Sequence, residues 1–171
     1  MKVLMVLVLT FSVSFCSRGI AQTIDKYLVL NVASHHVNSS LDFNEQNFGL
    51  SYSIGHRPIE QSSWENSLEF GFYKNSFSEI SSYALVKGDF AIGKSIFGSE
   101  MRLGAFAGFF EYPSATDYAR SHGIPTIGEF VLVPGLSATL RSELGVDLRL
   151  NVAPGAKQAD AIVSVQIGFR Y

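Results

Sequence analysis

Cysteine is almost absent from this chain: one residue, Cys16, among 171. It falls in the first 21 residues, so the remainder has no disulfide, no thiol nucleophile and no Cys-ligated metal. Long apolar runs are missing as well. Past residue 21 no stretch approaches the roughly 20 apolar residues of a membrane-spanning helix. Basic residues are few. Lys and Arg number 13 against 15 Asp and Glu; leaving out Lys2 and Arg18 gives 11 against 15, a net charge of −4. That balance gives no support for nucleic-acid binding. Charged residues make up 16% of the chain and hydrophobic ones 47%, a composition that excludes little until its pattern is read.

The chain opens with Lys2, an apolar run over Val3–Phe15 and the small-x-small pattern Gly19-Ile20-Ala21. These predict a secretory signal peptide over residues 1–21, removed after Ala21. Phe15 is too large for the position before an acylated lipoprotein cysteine, so Cys16 reads as part of the leader. Residues 22–171 are long enough for one domain. An exported chain without disulfides suits a bacterial envelope.

That domain alternates. Leu28, Leu30 and Val32 share one face of a first strand, which runs on to His35 and His36. Phe48, Leu50, Tyr52 and Ile54 alternate with Asn47, Gly49, Ser51, Ser53 and Gly55. Leu68, Phe70 and Phe72 alternate with Ser67, Glu69, Gly71 and Tyr73. The last strand, Ala161–Tyr171, is apolar at every odd position and ends on an aromatic. With Tyr83–Ala91, Met101–Phe110, Ile127–Leu140 and Leu144–Ala153 this makes eight strands of about 9–11 residues, the length of a tilted bilayer-crossing strand. A soluble sandwich would alternate too. Export, the terminal aromatic and aromatics near strand ends predict instead an all-β, eight-stranded antiparallel outer-membrane barrel. Tyr27, Trp64 and Tyr171 are expected in one aromatic girdle, and Phe72, Phe109 and Tyr112 near the other. So narrow a barrel is filled by side chains or holds one small ligand. On this phasing Glu69, Arg102, Asp147 and Arg149 face inward as a structural ionic network. Residues 111–125 read as a loop, and no segment after the leader has a helical period.

Strand parity places the polar strand tips. With both termini in the periplasm, His35, His36, Asn44, Asn75 and Ser76 fall at the outer rim. His122 shares that side and His56 lies at the opposite end. A His beside a Ser is the minimum for activating a hydroxyl, although an Asn-Ser pair is first of all a turn. Pro134 and Pro154 cannot donate to a ladder, so each predicts a gap between neighbouring strands; Pro154 also suits the start of a turn.

Several stretches, in order, resemble the PagP-type lipid A palmitoyltransferases: FNEQNFGLSYS, GFYKNSFSEISSY, VLVPGLS and NVAPG, before a closing aromatic strand. The resemblance covers most of residues 34–171 and implies an outer-membrane acyltransferase moving an acyl chain from phospholipid to lipid A or a related acceptor. It implies no cofactor and no metal, and a monomer whose partners are membrane lipids. The family's catalytic His and adjacent Asp-Ser map onto His36 or His35, Asn75 and Ser76. His36 has the parity of Leu28, Leu30 and Val32, and Ser76 that of Leu68, Phe70 and Phe72, which favours His36. Asn75 departs from the family's Asp: an amide orients a ring or donates to an oxyanion but carries no charge. The family's N-terminal amphipathic helix has no counterpart before the first strand. In the family, proline gaps admit acyl chains sideways, a role implied for Pro134 and Pro154. The alternatives are a non-catalytic barrel serving envelope structure or ligand binding, and an outer-membrane lipid acyl hydrolase.

Overall fold

The structure is a computed structural model that describes residues 23–58, 63–95, 98–155 and 159–171. The signal peptide expected over residues 1–21 lies outside them. Eight long strands form the wall: β1 Thr23–Val37, β2 Gly49–Arg57, β3 Trp64–Lys74, β4 Ile80–Lys94, β5 Glu100–Glu111, β7 Phe130–Arg141, β8 Val146–Pro154 and β9 Ala161–Arg170. A two-residue strand, β6 (Thr126–Ile127), and a six-residue helix, α1 (Thr116–Ser121), sit in the connection before β7. Each long strand pairs antiparallel with its chain neighbour. β9 returns to β1, and β5 pairs β7, so the sheet closes on itself. Closure leaves no open edge to lipid, the condition for a sheet to cross a bilayer.

The wall is inside out. Leu68, Phe70 and Phe72 of β3 are exposed, while Glu65, Ser67 and Glu69 on its other face are buried. The outer surface carries Leu28, Leu30, Phe48, Leu103, Leu136, Leu148 and Leu150, and the interior carries Asp89, Arg102, Arg141, Asp147 and Arg149. Apolar outside and charged inside is the arrangement of a membrane-spanning barrel, and a soluble sandwich would reverse it. The fold therefore defines an outer-membrane-type β-barrel. The strands run from 9 to 15 residues, longer at the extremes than alternation suggested: β1 begins at Thr23, ahead of Tyr27, and β4 extends beyond Tyr83 and Ala91 at both ends. Connections at one end are short, as at residues 142–145; at the other end residues 38–48 and 112–129 span long connections. By the habit of such barrels the long-connection end faces outward.

Three details depart from the sequence reading. Tyr27 points into the lumen, 1% exposed, with its ring beneath Arg149 (4.7 Å) and Arg141 (5.5 Å). It belongs to the interior, not to a girdle, because it sits in the odd, inward register of β1. Tyr112 likewise turns inward, its hydroxyl 2.7 Å from that of Tyr73. The segment read as loop contains α1, which is too short to reveal a period and is steadied by an Asp117–Arg120 pair at 3.0 Å.

The lower half of the lumen is filled with paired charge. Arg141 binds Glu65 through both nitrogens, at 2.8 and 3.1 Å. Arg57 reaches Asp25 at 2.6 Å, Lys87 reaches Asp89 at 2.8 Å, and Arg149 lies 3.1 Å from Glu69 and 3.7 Å from Asp147. Arg102 pairs with Glu100 at 2.6 Å, a partner outside the foursome expected from sequence. Above this plug runs a chain of polar contacts. Asn151 donates to Gln166 (2.9 Å), Gln166 to Asn31 (2.7 Å), and Tyr83 to Glu69 (2.6 Å). Higher still, the lumen opens into a cavity.

Candidate functional site

The upper lumen is a cavity of about 710 Å³. One wall is apolar and aromatic, with Leu85, Phe106, Phe110, Val131 and Val133; Asn31, Asn151 and Gln166 form its polar base. Gly135 makes room for this shape, since a Cβ there would collide with the ring of Phe106. At its mouth sit His36 and Ser76.

Ser76 arrives there through a built turn. β3 ends at Lys74, and Asn75, fully buried, organises the residues after it. Its Oδ1 accepts the backbone N–H groups of Phe77 (2.9 Å) and Glu79 (3.0 Å), and its Nδ2 donates to Ser81 Oγ (2.8 Å). Ser78 takes a left-handed backbone, φ 65°, uncommon for a residue with a side chain, and the Asn75 bonds hold the turn in that form. Ser76 is thereby turned inward and 8% exposed. Among the described residues, the side-chain hydrogen bonds of Asn75 go to Phe77, Glu79 and Ser81 and not to the imidazole. Its amide builds the turn that presents Ser76; the resemblance implied a catalytic partner at this position. The amide suits this because it accepts and donates at once.

His36 arrives by a register shift. The β1–β9 pairing slips between Asn31 and Ala33. Below the slip Tyr27 and Val29 face the lumen; above it Ser34 and His36 do. An extra residue in one strand exchanges the faces of everything beyond it. Parity with Leu28 and Leu30 favours His36 in the sequence, but those residues face lipid and His36 faces the lumen. His36 is indeed the residue turned inward, yet the parity that pointed to it does not hold. His35 points outward, its Nδ1 2.8 Å from Glu45 Oε1.

The two side chains meet: Ser76 Oγ lies 2.8 Å from His36 Nε2. Phe43 covers the imidazole, ring centroids 4.3 Å apart. His36 Nδ1 is buried and, among the described residues, has no hydrogen-bond partner. The unit is therefore a dyad. With Nε2 unprotonated, the imidazole accepts the hydroxyl proton as the oxygen attacks an electrophile. His122 lies apart in the β5–β7 connection, stacked on Tyr118 at 4.1 Å. Among the described residues no cluster of His, Asp and Glu suits a metal ion.

Pro134 and Pro154 lie on one shared seam, where sequence suggested two separate gaps. The β7–β8 ladder stops at Leu136↔Val152, and continuing its register sets Pro134 opposite Pro154. Leu132 spends its N–H on the edge away from β5, donating to Pro125 O at 2.9 Å. Pro134, two residues on, would aim a donor at the same edge and has none. β6 covers only the tip of that edge, at Thr126↔Val131 and Ile127↔Phe130. Both prolines line the same cavity as His36 and Ser76.

No protein-family model matches the chain, and neither does any curated protein. Among solved structures it is similar to the Neisserial surface protein A, NspA, at 12% identity over 88% of this chain and 97% of that one, TM-score 0.47. It is also similar to the Yersinia pestis outer membrane protein Ail in a phospholipid bilayer nanodisc, at 12% identity over 87% and 100% of the two chains, TM-score 0.45. The crystal structure of Ail aligns at 12% identity over 88% and 97%, TM-score 0.40. The palmitoyltransferase resemblance thus rests on this chain's own residues.

Proposed function

We propose that this barrel is a bacterial outer-membrane acyltransferase that moves an acyl chain from a phospholipid of the outer leaflet to lipid A or a related hydroxyl-bearing acceptor. The observation that carries the reading is the Ser76 Oγ–His36 Nε2 contact of 2.8 Å, at the mouth of a largely apolar cavity that also reaches the proline seam. A hydrocarbon chain leaving the bilayer through that seam stays among apolar side chains and avoids the exposure that opposes its transfer through water. Its ester carbonyl comes to rest at the dyad. Ser76 Oγ then attacks the carbonyl carbon as His36 Nε2 takes its proton. The bond to the glycerol oxygen breaks, and that oxygen leaves with the proton as lysophospholipid. The acceptor hydroxyl attacks the acyl-serine ester by the same route, its proton passing through His36 back to Ser76. Phe43 over the imidazole restricts water at this point and supports transfer over hydrolysis.

The test is to express the protein in a strain with an unmodified lipid A acceptor and weigh its lipid A. The expected result is a mass gain of one acyl group, absent with Ser76→Ala. Unchanged mass with a folded barrel, at equal expression, counts against the reading. Release of free fatty acid without any acylated acceptor converts it to hydrolysis.

A further inference from the structure

The outer six residues of β1, which carry His36, have lost one neighbour. The β1–β2 ladder ends at Asn31↔Gly49, while β9 follows β1 to Val37. On the vacated edge, among the described residues, the N–H groups of Ser34 and His36 both donate to Glu45 of the β1–β2 connection. Glu45 O accepts the N–H of Ser34 at 2.9 Å. Glu45 Oε1 accepts the N–H of His36 at 3.3 Å and lies 2.8 Å from His35 Nδ1. One residue thus replaces the missing strand, with its carbonyl and its carboxylate serving two successive ladder positions.

The same short segment is fastened to the turn that carries Ser76. Asn44 N donates to Ser76 O at 2.9 Å, and Asn44 Nδ2 to Asn75 O at 3.2 Å. Asn47 Nδ2 donates to Lys74 O at 2.8 Å. Phe43 packs on His36 at 4.3 Å and on Phe77 at 5.6 Å. Residues 43–47 therefore touch both halves of the dyad, of which His36 lies on β1 and Ser76 in the turn after β3.

We infer that Glu45 is a positioning residue: its carboxylate fixes the backbone of His36, and through residues 43–47 it sets the His36–Ser76 separation. The inference rests on the acyl-transfer reading for its kinetic consequence and on geometry alone for its structural one. The N–H of His36 first, and then His35, hold the Glu45 carboxyl below its usual range, as expected of a carboxylate that accepts hydrogen bonds. A neutral amide oxygen at this position still accepts from His36 N. Alanine cannot.

Two variants and two readouts separate the possibilities. Glu45→Ala is expected to lower kcat by about 10- to 100-fold with KM unchanged, since misplacing reacting groups acts on the chemical step. Glu45→Gln is expected to restore most of that loss. A merely destabilised loop would show no such rescue and would lose KM and kcat together. The second readout needs no turnover. Imidazole ¹⁵N spectra of the barrel in detergent micelles should show the His36 Nε2 environment altered in Glu45→Ala and near wild type in Glu45→Gln, with Ser76→Ala marking full loss of the contact. His36 signals identical in wild type and Glu45→Ala overturn the inference, whatever the activity. If wild type transfers no acyl chain yet the spectra respond as expected, the positioning stands and the acyl-transfer reading fails. Heat-modified migration on gels verifies that each variant has folded.

Discussion

The lower and upper halves of this lumen are built from the same strands and could hardly differ more. Below, Glu65, Arg141, Asp147, Arg149 and Glu69 are all buried and meet in ion pairs. Above, a largely apolar cavity of about 710 Å³ lies beside a stretch of wall where the β7–β8 ladder stops. A buried charge is tolerable only when paired and hydrogen-bonded, so the lower half has little freedom to be anything except full. The upper half gives up packing and some strand pairing, and what it keeps is a Ser–His contact facing space. A narrow barrel can close without a cavity. This one has reserved half of its interior.

That contrast can be broken from either side. The largest effect is expected at the dyad: His36→Ala and Ser76→Ala should lower acyl transfer by about 10²–10⁴-fold, the range of a positioned general base, in barrels that still show heat-modified migration on gels. Reconstituted vesicles with labelled phospholipid give the rates. Next comes the plug. Glu65→Ala leaves Arg141 without its bidentate partner and should destabilise the barrel by about 3 kcal/mol, the lower end for a broken buried pair; Asp147 at 3.5 Å from Arg141 offsets part of the loss. Urea titration in vesicles measures it, and transfer by the folded fraction should stay as in wild type.

Smaller effects probe the seam and the wall. The double variant Pro134→Leu, Pro154→Leu restores two N–H donors on facing strands. It should extend the β7–β8 ladder and slow transfer from bilayer-embedded donors by about tenfold, while short detergent-dispersed esters are less affected. Amide hydrogen exchange at residues 133–135 reports whether the ladder has closed. Tyr112→Phe removes one hydroxyl from the Tyr73–Tyr112 pair and should change stability by about 1 kcal/mol, again read by urea titration.

Alternation was enough to expose the barrel, because a period of two survives wherever one face meets lipid and the other meets charge. Glu69, Asp147 and Arg149 were therefore legible as interior residues, as were the outer faces of β2, β3 and β9. The site was harder to read. A single slip between Asn31 and Ala33 leaves no mark in the residue pattern, yet it decides that His36 and not His35 enters the lumen. Asn75 could be read as a turn or as a partner in chemistry, and the turn became visible only in the bonds of its amide. The prolines announced a missing donor, but their shared seam depended on the register of β7 and β8. Glu45 gave no signal of its own in a polar loop. Its role exists only because β2 stops short of the end of β1.

The proposed function turns on whether the Ser76–His36 pair acts on an acyl chain that comes through the proline seam. The direct measurement is lysophospholipid formation, with simultaneous detection of the acylated acceptor, by the purified barrel in vesicles of phospholipid and lipid A. Wild type should yield the two products in equal amounts, and Ser76→Ala should yield neither. A folded wild-type barrel that forms neither product, or a Ser76→Ala barrel that forms both at the wild-type rate, would refute the proposal.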